Sequence, residues 1–433
     1  MTNSSADTIF IIPPSNDIRE HIVYAPLKNI AFICNENAVT IAKNIINGEK
    51  LTQRDIDSVV YKYVKQINEL PTQLPIMCDI GDVSSAVIIL SQQCNLSCSY
   101  CFSQQSRSVG LLDVESVEAV IDYTINSESI NKKFIFIGGG EPFLAWEDLK
   151  RAIQYIHLKK NINHKVLIVI TTNATLLDDK KILFLNKYGV ELGISFDILP
   201  EIQNSQRCFT NQKGTFTVVD NYIRQLIKNN IKIRIRSTIT SHNVAKMAEM
   251  VQFVVNNYSG IKYLHFEPVS DSQDNTTDFY TEFVSNFISA RRLGLQYGVD
   301  VYNSVTNSIN KLNSRFCRGE FCTTPTGEIV ACHRVSSKED PLFEKMYYGK
   351  VANDRKSLNI DDNRKNEIFA MFNKKLPECK NCFAMWHCAG GCVYDQNNLT
   401  LSQLRAKCYY IKSLIQAILY ERLTIKTNSY GDK

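Results

Sequence analysis

Between Ala86 and Val269, short apolar runs alternate with amphipathic stretches at a spacing of roughly 30 residues. The runs Ala86–Leu90, Phe134–Ile137, Val166–Ile170, Leu192–Phe196, Ile231–Ile239 and Tyr263–Phe266 predict strands, and the stretches between them predict helices. Repeated βα units of this kind give a parallel sheet, because each crossover helix returns the chain to the same end. Six such strands predict an α/β fold with an open, partial (β/α)6 barrel. Functional residues are then expected at the C-terminal ends of its strands.

The flanks read differently. Ahead of the barrel, residues 1–83 contain an extended stretch, Tyr24–Cys34, and two helical stretches, Ala38–Ile46 and Gln53–Leu70. That β-β-α-α order predicts a small winged-helix-like unit. Behind the barrel, which is taken as residues 84–310, residues 311–433 hold eight cysteines between Arg315 and Arg422 and few long periodic elements. Its own core is expected to be thin, with metal as the organising element. No internal repeat or low-complexity linker separates the three parts.

Composition narrows the functional classes. The chain of 433 residues is 44% apolar and 21% charged, and its net charge of +5 is spread without clustering. A nucleic-acid footprint is therefore not expected. No run approaches the roughly 18 apolar residues of a membrane span, and Met1–Ser15 lacks the basic and apolar regions of an export signal. The expectation is a cytoplasmic protein with no membrane partner. Thiols stay reduced there, so clustered cysteines among the fourteen read as metal ligands before disulfides.

The first cluster, Cys94-Asn-Leu-Ser-Cys98-Ser-Tyr-Cys101, puts three thiols on one tight loop just after the first barrel strand. Three thiolates on a 4Fe-4S cluster leave one iron open to a chelating small molecule. The alternative is a zinc loop, but structural zinc is four-coordinate and no nearby Cys or His supplies the fourth position. Gly138-Gly139-Gly140-Glu141-Pro142 ends the second strand. Its glycines permit close backbone approach and Glu141 can accept from an ammonium group. Thr171–Thr175 and Ile194-Ser195-Phe196-Asp197 lie at later strand ends. The C-terminal cysteines run Cys317, Cys322 and Cys332, with Gly327 between the last two, then Cys379-x2-Cys382-x5-Cys388-x3-Cys392-x15-Cys408. Cys379-x2-Cys382 is also a common zinc half-site, so a zinc-binding scaffold is the non-catalytic alternative.

The three-cysteine spacing, with Tyr100 before the last thiol, resembles the defining motif of the radical S-adenosylmethionine (SAM) superfamily. That resemblance implies a partial radical SAM barrel in which Cys94, Cys98 and Cys101 bind the SAM-cleaving 4Fe-4S cluster. It implies further that Gly139, Gly140 and Glu141 hold the methionyl amino group, and Ser195 and Arg207 its carboxylate. Arg236 and Glu267 are further candidates at the barrel mouth, with a structural ion pair as the other reading. The C-terminal spacing resembles the auxiliary-cluster domain called SPASM. By its interleaved connectivity, Cys317, Cys322, Cys332 and Cys392 would hold one 4Fe-4S cluster, and Cys379, Cys382, Cys388 and Cys408 another, making three. Cys322 could instead leave the first site open for substrate. Cys34, Cys78 and Cys208 remain, and read as small buried apolar residues.

Such an enzyme would release a 5'-deoxyadenosyl radical, abstract hydrogen from an unactivated carbon, and draw electrons from a donor such as a flavodoxin or ferredoxin. The segment from Ile33 to Ile56 resembles the precursor-peptide recognition domains of ribosomal peptide biosynthesis, which add a leader peptide as an extra strand. The resemblance therefore implies a peptide maturase that cross-links side chains of a ribosomally made precursor through a C-C, ether or thioether bond, as in cyclophane and darobactin-type peptides. The competing reading is an anaerobic sulfatase-maturating enzyme. Those enzymes typically place an Asp after the cysteine matching Cys332, where this chain has His333, a residue that either takes over a proton-accepting role or hydrogen-bonds near the cluster.

Overall fold

The computed structural model describes residues 9–15, 18–73, 83–104, 107, 110–270 and 275–428; Cys78 lies outside them. The N-terminal unit contains strands β1 (Phe10–Ile12), β2 (His21–Ala25) and β3 (Ile30–Cys34), antiparallel in the order β1-β2-β3. Helices Glu36–Asn47, Gln53–Ile56 and Val59–Glu69 follow. This differs from the expected two strands and two helices, and local chemistry explains both splits. Pro26 starts a tight 3-10 turn and Asn29 follows it at φ 55°, so Tyr24–Cys34 is the turn of a hairpin and not one strand. The Thr52/Asp55 capping box fixes a one-turn helix, after which Ser58 caps a new one by accepting from Tyr61 N. Val23, Ala25, Cys34, Val39, Ala42, Val64 and Ile67 form this unit's own small core.

The barrel strands are β4 (Ser85–Ile88), β5 (Asn131–Phe136), β6 (Lys165–Thr172), β7 (Glu191–Ser195), β8 (Ile233–Ile239) and β9 (Tyr263–Pro268). All six are parallel and neighbours in chain order, as the periodicity requires. The sheet continues past both ends of that set. Beyond β9 lies β10 (Asp300–Tyr302), and beyond β4 lies β11 (Phe321–Thr323), each parallel to its neighbour. Three antiparallel strands, β12 (Glu328–Val330), β13 (Tyr347–Val351) and β14 (Leu358–Ile360), complete eleven. Such short strands carry too few residues for a visible period. On β8, Ile233, Ile235, Ser237 and Ile239 are buried and alternate with Arg234, Arg236 and Thr238 on the opposite face.

The C-terminal region is not thinly packed, contrary to the expectation from its sequence. Val330, Met346, Tyr348, Phe369, Leu414 and Ile415 belong to the same continuous core as Phe134, Phe136 and Ile194. Its last helix, Leu401–Asn428, lies along helix Thr277–Gln296, with Tyr410 stacked on Tyr280 at 4.9 Å. That helix also holds the N-terminal unit, through Gln416 Nε2 to Pro13 O at 2.6 Å and Tyr420 OH to Glu20 Oε2 at 3.1 Å. Among the described residues no helix is long and apolar enough to cross a membrane.

Lys132 is a fold-determining polar contact. It is 1% exposed at the start of β5, and its Nζ donates to Thr124 O (3.0 Å), Ser127 O (2.7 Å) and Ser127 Oγ (2.6 Å). These are carbonyls at and just beyond the C-terminus of helix Val114–Ile125, where a cation also complements the helix dipole. Lys132→Met should remove these bonds and cost about 1–3 kcal/mol, read as a lower denaturant midpoint.

Candidate active site

The loop that follows β4 is fixed from two sides. On one, Ser97 N donates to Cys208 O (2.9 Å) and Ser99 N to Gln206 O (3.0 Å), which ties the cysteine loop to the segment after β7. Cys208 is therefore a buried support for this loop, its Sγ 3.5 Å from Ser97 O. On the other, Glu141 N donates to Gln93 O at 2.8 Å, and a Cβ on Gly140 would lie 2.0 Å from that same oxygen. Only glycine permits this approach. Ser103 Oγ donates to Gly139 O at 2.6 Å and lies 3.3 Å from Cys101 Sγ, which also accepts from Arg107 Nη2 at 3.3 Å.

Glu141 is buried at 2% exposure and accepts from Thr172 Oγ1 (2.6 Å), Asn173 N (2.8 Å) and Phe143 N (3.2 Å). Burial pushes its carboxyl up to about 7, and the three donors limit the rise. The Thr171–Thr175 segment thus carries Glu141, and it also reaches the cysteine loop through Asn173 Nδ2 to Asn95 Oδ1 at 3.0 Å.

Arg207 is 8% exposed and far from a solvated loop residue. Its Nε donates to Asp197 Oδ2 at 3.0 Å, and its guanidinium lies 5.1 Å from the centre of the Tyr100 ring. Fully buried Asp197 also accepts from Tyr100 OH (2.6 Å), Gln206 Nε2 (3.0 Å), Ser237 Oγ (3.2 Å) and Thr238 N (3.0 Å). Sequence reading pointed to Ser195 and Arg207 and passed over Asp197 as a site residue. The available signal was its position two residues after Ser195, at the end of β7. Cys98 sits in the field of Arg207, which draws its pKa down, yet burial dominates and pushes the thiol up to about 12.

The remaining cysteines fall into two neighbourhoods. Cys317, Cys332 and Cys392 feel one another's charge, and Cys322, fully buried on β11, feels Cys332. Cys388 feels Cys379, Cys382 and Cys408. Among the described residues, no three His, Cys, Asp or Glu side chains converge tightly enough to hold one metal ion. A tetrahedral zinc needs such convergence at about 2.0–2.3 Å, whereas thiolates on a four-iron cluster stand apart around its faces. The all-thiol donor set of the Cys94–Cys101 loop fits a 4Fe-4S cluster.

A cavity of about 490 Å³ joins these parts. Cys94, Cys98 and Cys101 border it from the barrel, and Cys388, Cys392 and Cys408 from the C-terminal region. Gly139, Gly140, Glu141, Tyr100, Ser195 and Arg207 also line it, as do Arg236 and Glu267. Cys317, Cys322, Cys332, Cys379 and Cys382 do not line it. His333 faces the same space and is held by Glu320, whose two carboxylate oxygens lie 2.9 Å from Nδ1. Beside Cys392, Asp395 accepts from Arg334 Nη1 at 2.9 Å and from Lys407.

Comparison with known proteins agrees with this geometry. Residues 88–254 match the family described as the radical SAM superfamily. A cysteine-type anaerobic sulfatase-maturating enzyme of Clostridium novyi is 23% identical over 335 residues, 70% of this chain and 85% of that protein. The radical SAM cyclopropyl synthase TigE of Paramaledivibacter caminithermalis is 23% identical over 385 residues, 81% of this chain and 74% of that protein. Among solved structures, native anSMEcpe with bound AdoMet superposes with a TM-score of 0.68 at 23% identity, covering 80% of this chain and 99% of that one. Streptococcus suis SuiB bound to precursor peptide SuiA gives 0.52 at 14% identity, covering 92% and 98%.

The Gly140 contact yields a direct test. Gly140→Ala should push the strand end away from the cysteine loop, costing about 1–3 kcal/mol and lowering iron uptake on anaerobic reconstitution. Gly189→Ala, at φ +61° with nothing within 4 Å of the added Cβ, should lower stability while leaving iron uptake as in the parent.

Proposed function

We propose that this chain, which belongs to the radical SAM superfamily, is a peptide maturase that forms a side-chain cross-link in a ribosomally made precursor. Cys94, Cys98 and Cys101 hold a 4Fe-4S cluster with one open iron. When SAM is bound there, one-electron reduction supplies a 5'-deoxyadenosyl radical that abstracts hydrogen from the substrate. The backbone of Gly139 and Gly140, with Glu141, receives the methionyl ammonium, and Ser195 and Arg207 receive the carboxylate. Asp197 keeps Arg207 charged and aimed, while the Tyr100 ring lies alongside it. The observation that carries this reading is the placement of a buried acid and a buried cation on either side of one three-thiol loop in one cavity.

The domains proposed are a winged-helix-like recognition unit (1–83), the radical SAM partial barrel (84–310) and a SPASM domain (311–433). Within the last, Cys317, Cys322, Cys332 and Cys392 hold one auxiliary 4Fe-4S cluster and Cys379, Cys382, Cys388 and Cys408 the other. Both are closed by four thiolates, which suits electron transfer from a flavodoxin- or ferredoxin-type donor in the cytoplasm. The leader of the precursor is assigned to β3, which among the described residues pairs only with β2 and whose first residues, Ile30 and Ala31, line a second cavity of about 480 Å³. The linkage is C-C, ether or thioether, with an aromatic side-chain bond preferred.

A second reading, sulfatase maturation, is favoured by the similarity to the Clostridium enzyme and by the TM-score of 0.68 to anSMEcpe. The N-terminal unit and His333 in place of an Asp weigh towards the first. Co-expression with a precursor peptide encoded nearby should give a product lighter by two hydrogens, abolished by Cys98→Ala and by removal of the leader; turnover that needs no leader would select sulfatase maturation. Anaerobically reconstituted protein should contain about twelve irons and as many sulfides, falling by about a third in Cys98→Ala. Zinc with little iron would overturn both enzymatic readings.

Glu141 gives the binding step a pH dependence. An ammonium group binds the carboxylate form, and protons compete with it below the raised pKa of about 7. SAM affinity should therefore fall by about tenfold between pH 8 and pH 6, measured by equilibrium dialysis with iron content checked at each pH. Glu141→Gln should bind more weakly at pH 8 and lose that slope.

A further inference from the structure

Arg315 is 4% exposed, and its Nε and Nη1 have no hydrogen-bond partner among the described residues. It lines neither of the two cavities described above, so neither delivers a solute to it. Its segment is also clamped on both sides. Asn313 N donates to Trp386 O at 2.7 Å and Asn313 Nδ2 to His387 O at 3.3 Å, while Glu320 N donates to Ala331 O at 2.9 Å. In between, a Cβ on Gly319 would lie 1.9 Å from Phe369 Cε1. A buried guanidinium held without a counter-charge is strongly destabilising, so the position calls for an anion that the polypeptide alone does not supply.

The acids of this neighbourhood are already committed. Glu320 accepts from His333 N at 2.6 Å and has both oxygens 2.9 Å from His333 Nδ1. Asp395, beside Cys392, accepts from Arg334 and Lys407. What stands next to Arg315 is thiol. Two residues of chain keep its Cα within about 7 Å of that of Cys317, and Phe316 between them lines the large cavity while they do not. Burial pushes the Cys317 thiol up to about 12, Glu320 adds to the rise, and Arg315 draws it down. Cys317 also feels Cys392, and Cys332 feels both.

Four thiolates around a 4Fe-4S core form a dianion, which one-electron reduction turns into a trianion. Such a group supplies the charge that Arg315 lacks. We propose that Arg315 is the counter-cation of the auxiliary cluster assigned to Cys317, Cys322, Cys332 and Cys392, donating its free N–H groups to cluster sulfur and raising the reduction potential. This rests on that cluster assignment and not on the identity of the substrate. Reduction adds one electron and breaks no bond, and a fixed positive charge stabilises the more negative, reduced form. Arg315 therefore acts through the cluster, as a positioning residue that makes it a better electron acceptor.

The test uses the full chain carrying Cys98→Ala, which removes the SAM-cleaving cluster, reconstituted anaerobically and reduced stepwise with dithionite while EPR spectra are recorded. The signal that a further Cys332→Ala substitution removes belongs to the cluster at issue. Arg315→Met should make its reduction at least tenfold less favourable, a midpoint lower by about 59 mV for one electron. Arg315→Lys, which keeps the charge, should recover part of that shift. Where Arg315→Met does not load iron, arginine labelled with the heavy nitrogen isotope at its guanidino group answers instead: pulsed EPR of the reduced cluster should show a coupling to that isotope, lost in Arg315→Lys at parental iron content. An unchanged midpoint in iron-loaded Arg315→Met, no coupling in the labelled parent, or a coupling that persists in Arg315→Lys overturns the proposal. A Cys98→Ala protein with no iron, or with no signal that Cys332→Ala removes, overturns the cluster assignment and the proposal with it. The midpoint shift and the coupling in a chain that modifies no peptide count against the maturase reading and leave the role of Arg315 standing.

Discussion

Asp197 takes five hydrogen bonds at a point from which water is excluded, and they come from five residues on three separate stretches of chain. Tyr100 belongs to the cysteine loop, Gln206 and Arg207 to the C-terminal end of helix Pro200–Gln206, and Ser237 and Thr238 to β8. A buried carboxylate with fewer partners would be costly in this environment, so the arrangement is strongly over-determined. Because Gln206 and Cys208 in turn carry the loop backbone, the position of the three thiols depends on this one anion. The Gly140 contact with Gln93 fixes the loop from the opposite side. Between them they set the loop against the cavity before any cofactor arrives, which is what an open coordination position requires.

The C-terminal region serves the same cavity from the other direction. It is built onto the barrel by sheet continuity, β11 beside β4, and by the long last helix against helix Thr277–Gln296. Cys388, Cys392 and Cys408 thereby line the cavity, whereas Cys317 and Cys322 do not. Burial raises these thiols, with Cys317 and Cys388 each at about 12, so metal binding must displace their protons and the loaded state is coupled to the packing around it. Arg334 and Lys407, joined through Asp395, place positive charge beside Cys392.

The N-terminal unit distinguishes this chain's architecture in a way that bears on substrate. It has its own core, meets the rest through Pro13, Glu20 and the Tyr24–His387 hydrogen bond, and among the described residues leaves β1 and β3 each with β2 as sole strand partner. His387 directly precedes Cys388.

The sequence by itself determined the six parallel barrel strands, since short apolar runs recur between amphipathic stretches at a regular spacing. It also made the Cys94–Cys101 loop visible, because its three thiols lie close along the chain. The helix break at Ser58 and the hairpin turn at Asn29 were legible only as local turn and capping chemistry, and the short strands β10 to β14 left no period to read. What tertiary structure alone decided is which polar residues meet: Asp197 with Tyr100 and Arg207, Glu141 with Thr172 and Asn173, and His333 with Glu320. Each pairing joins residues distant in sequence through packing of the intervening elements, and residue type alone cannot tell a buried, charged partner from a solvated one.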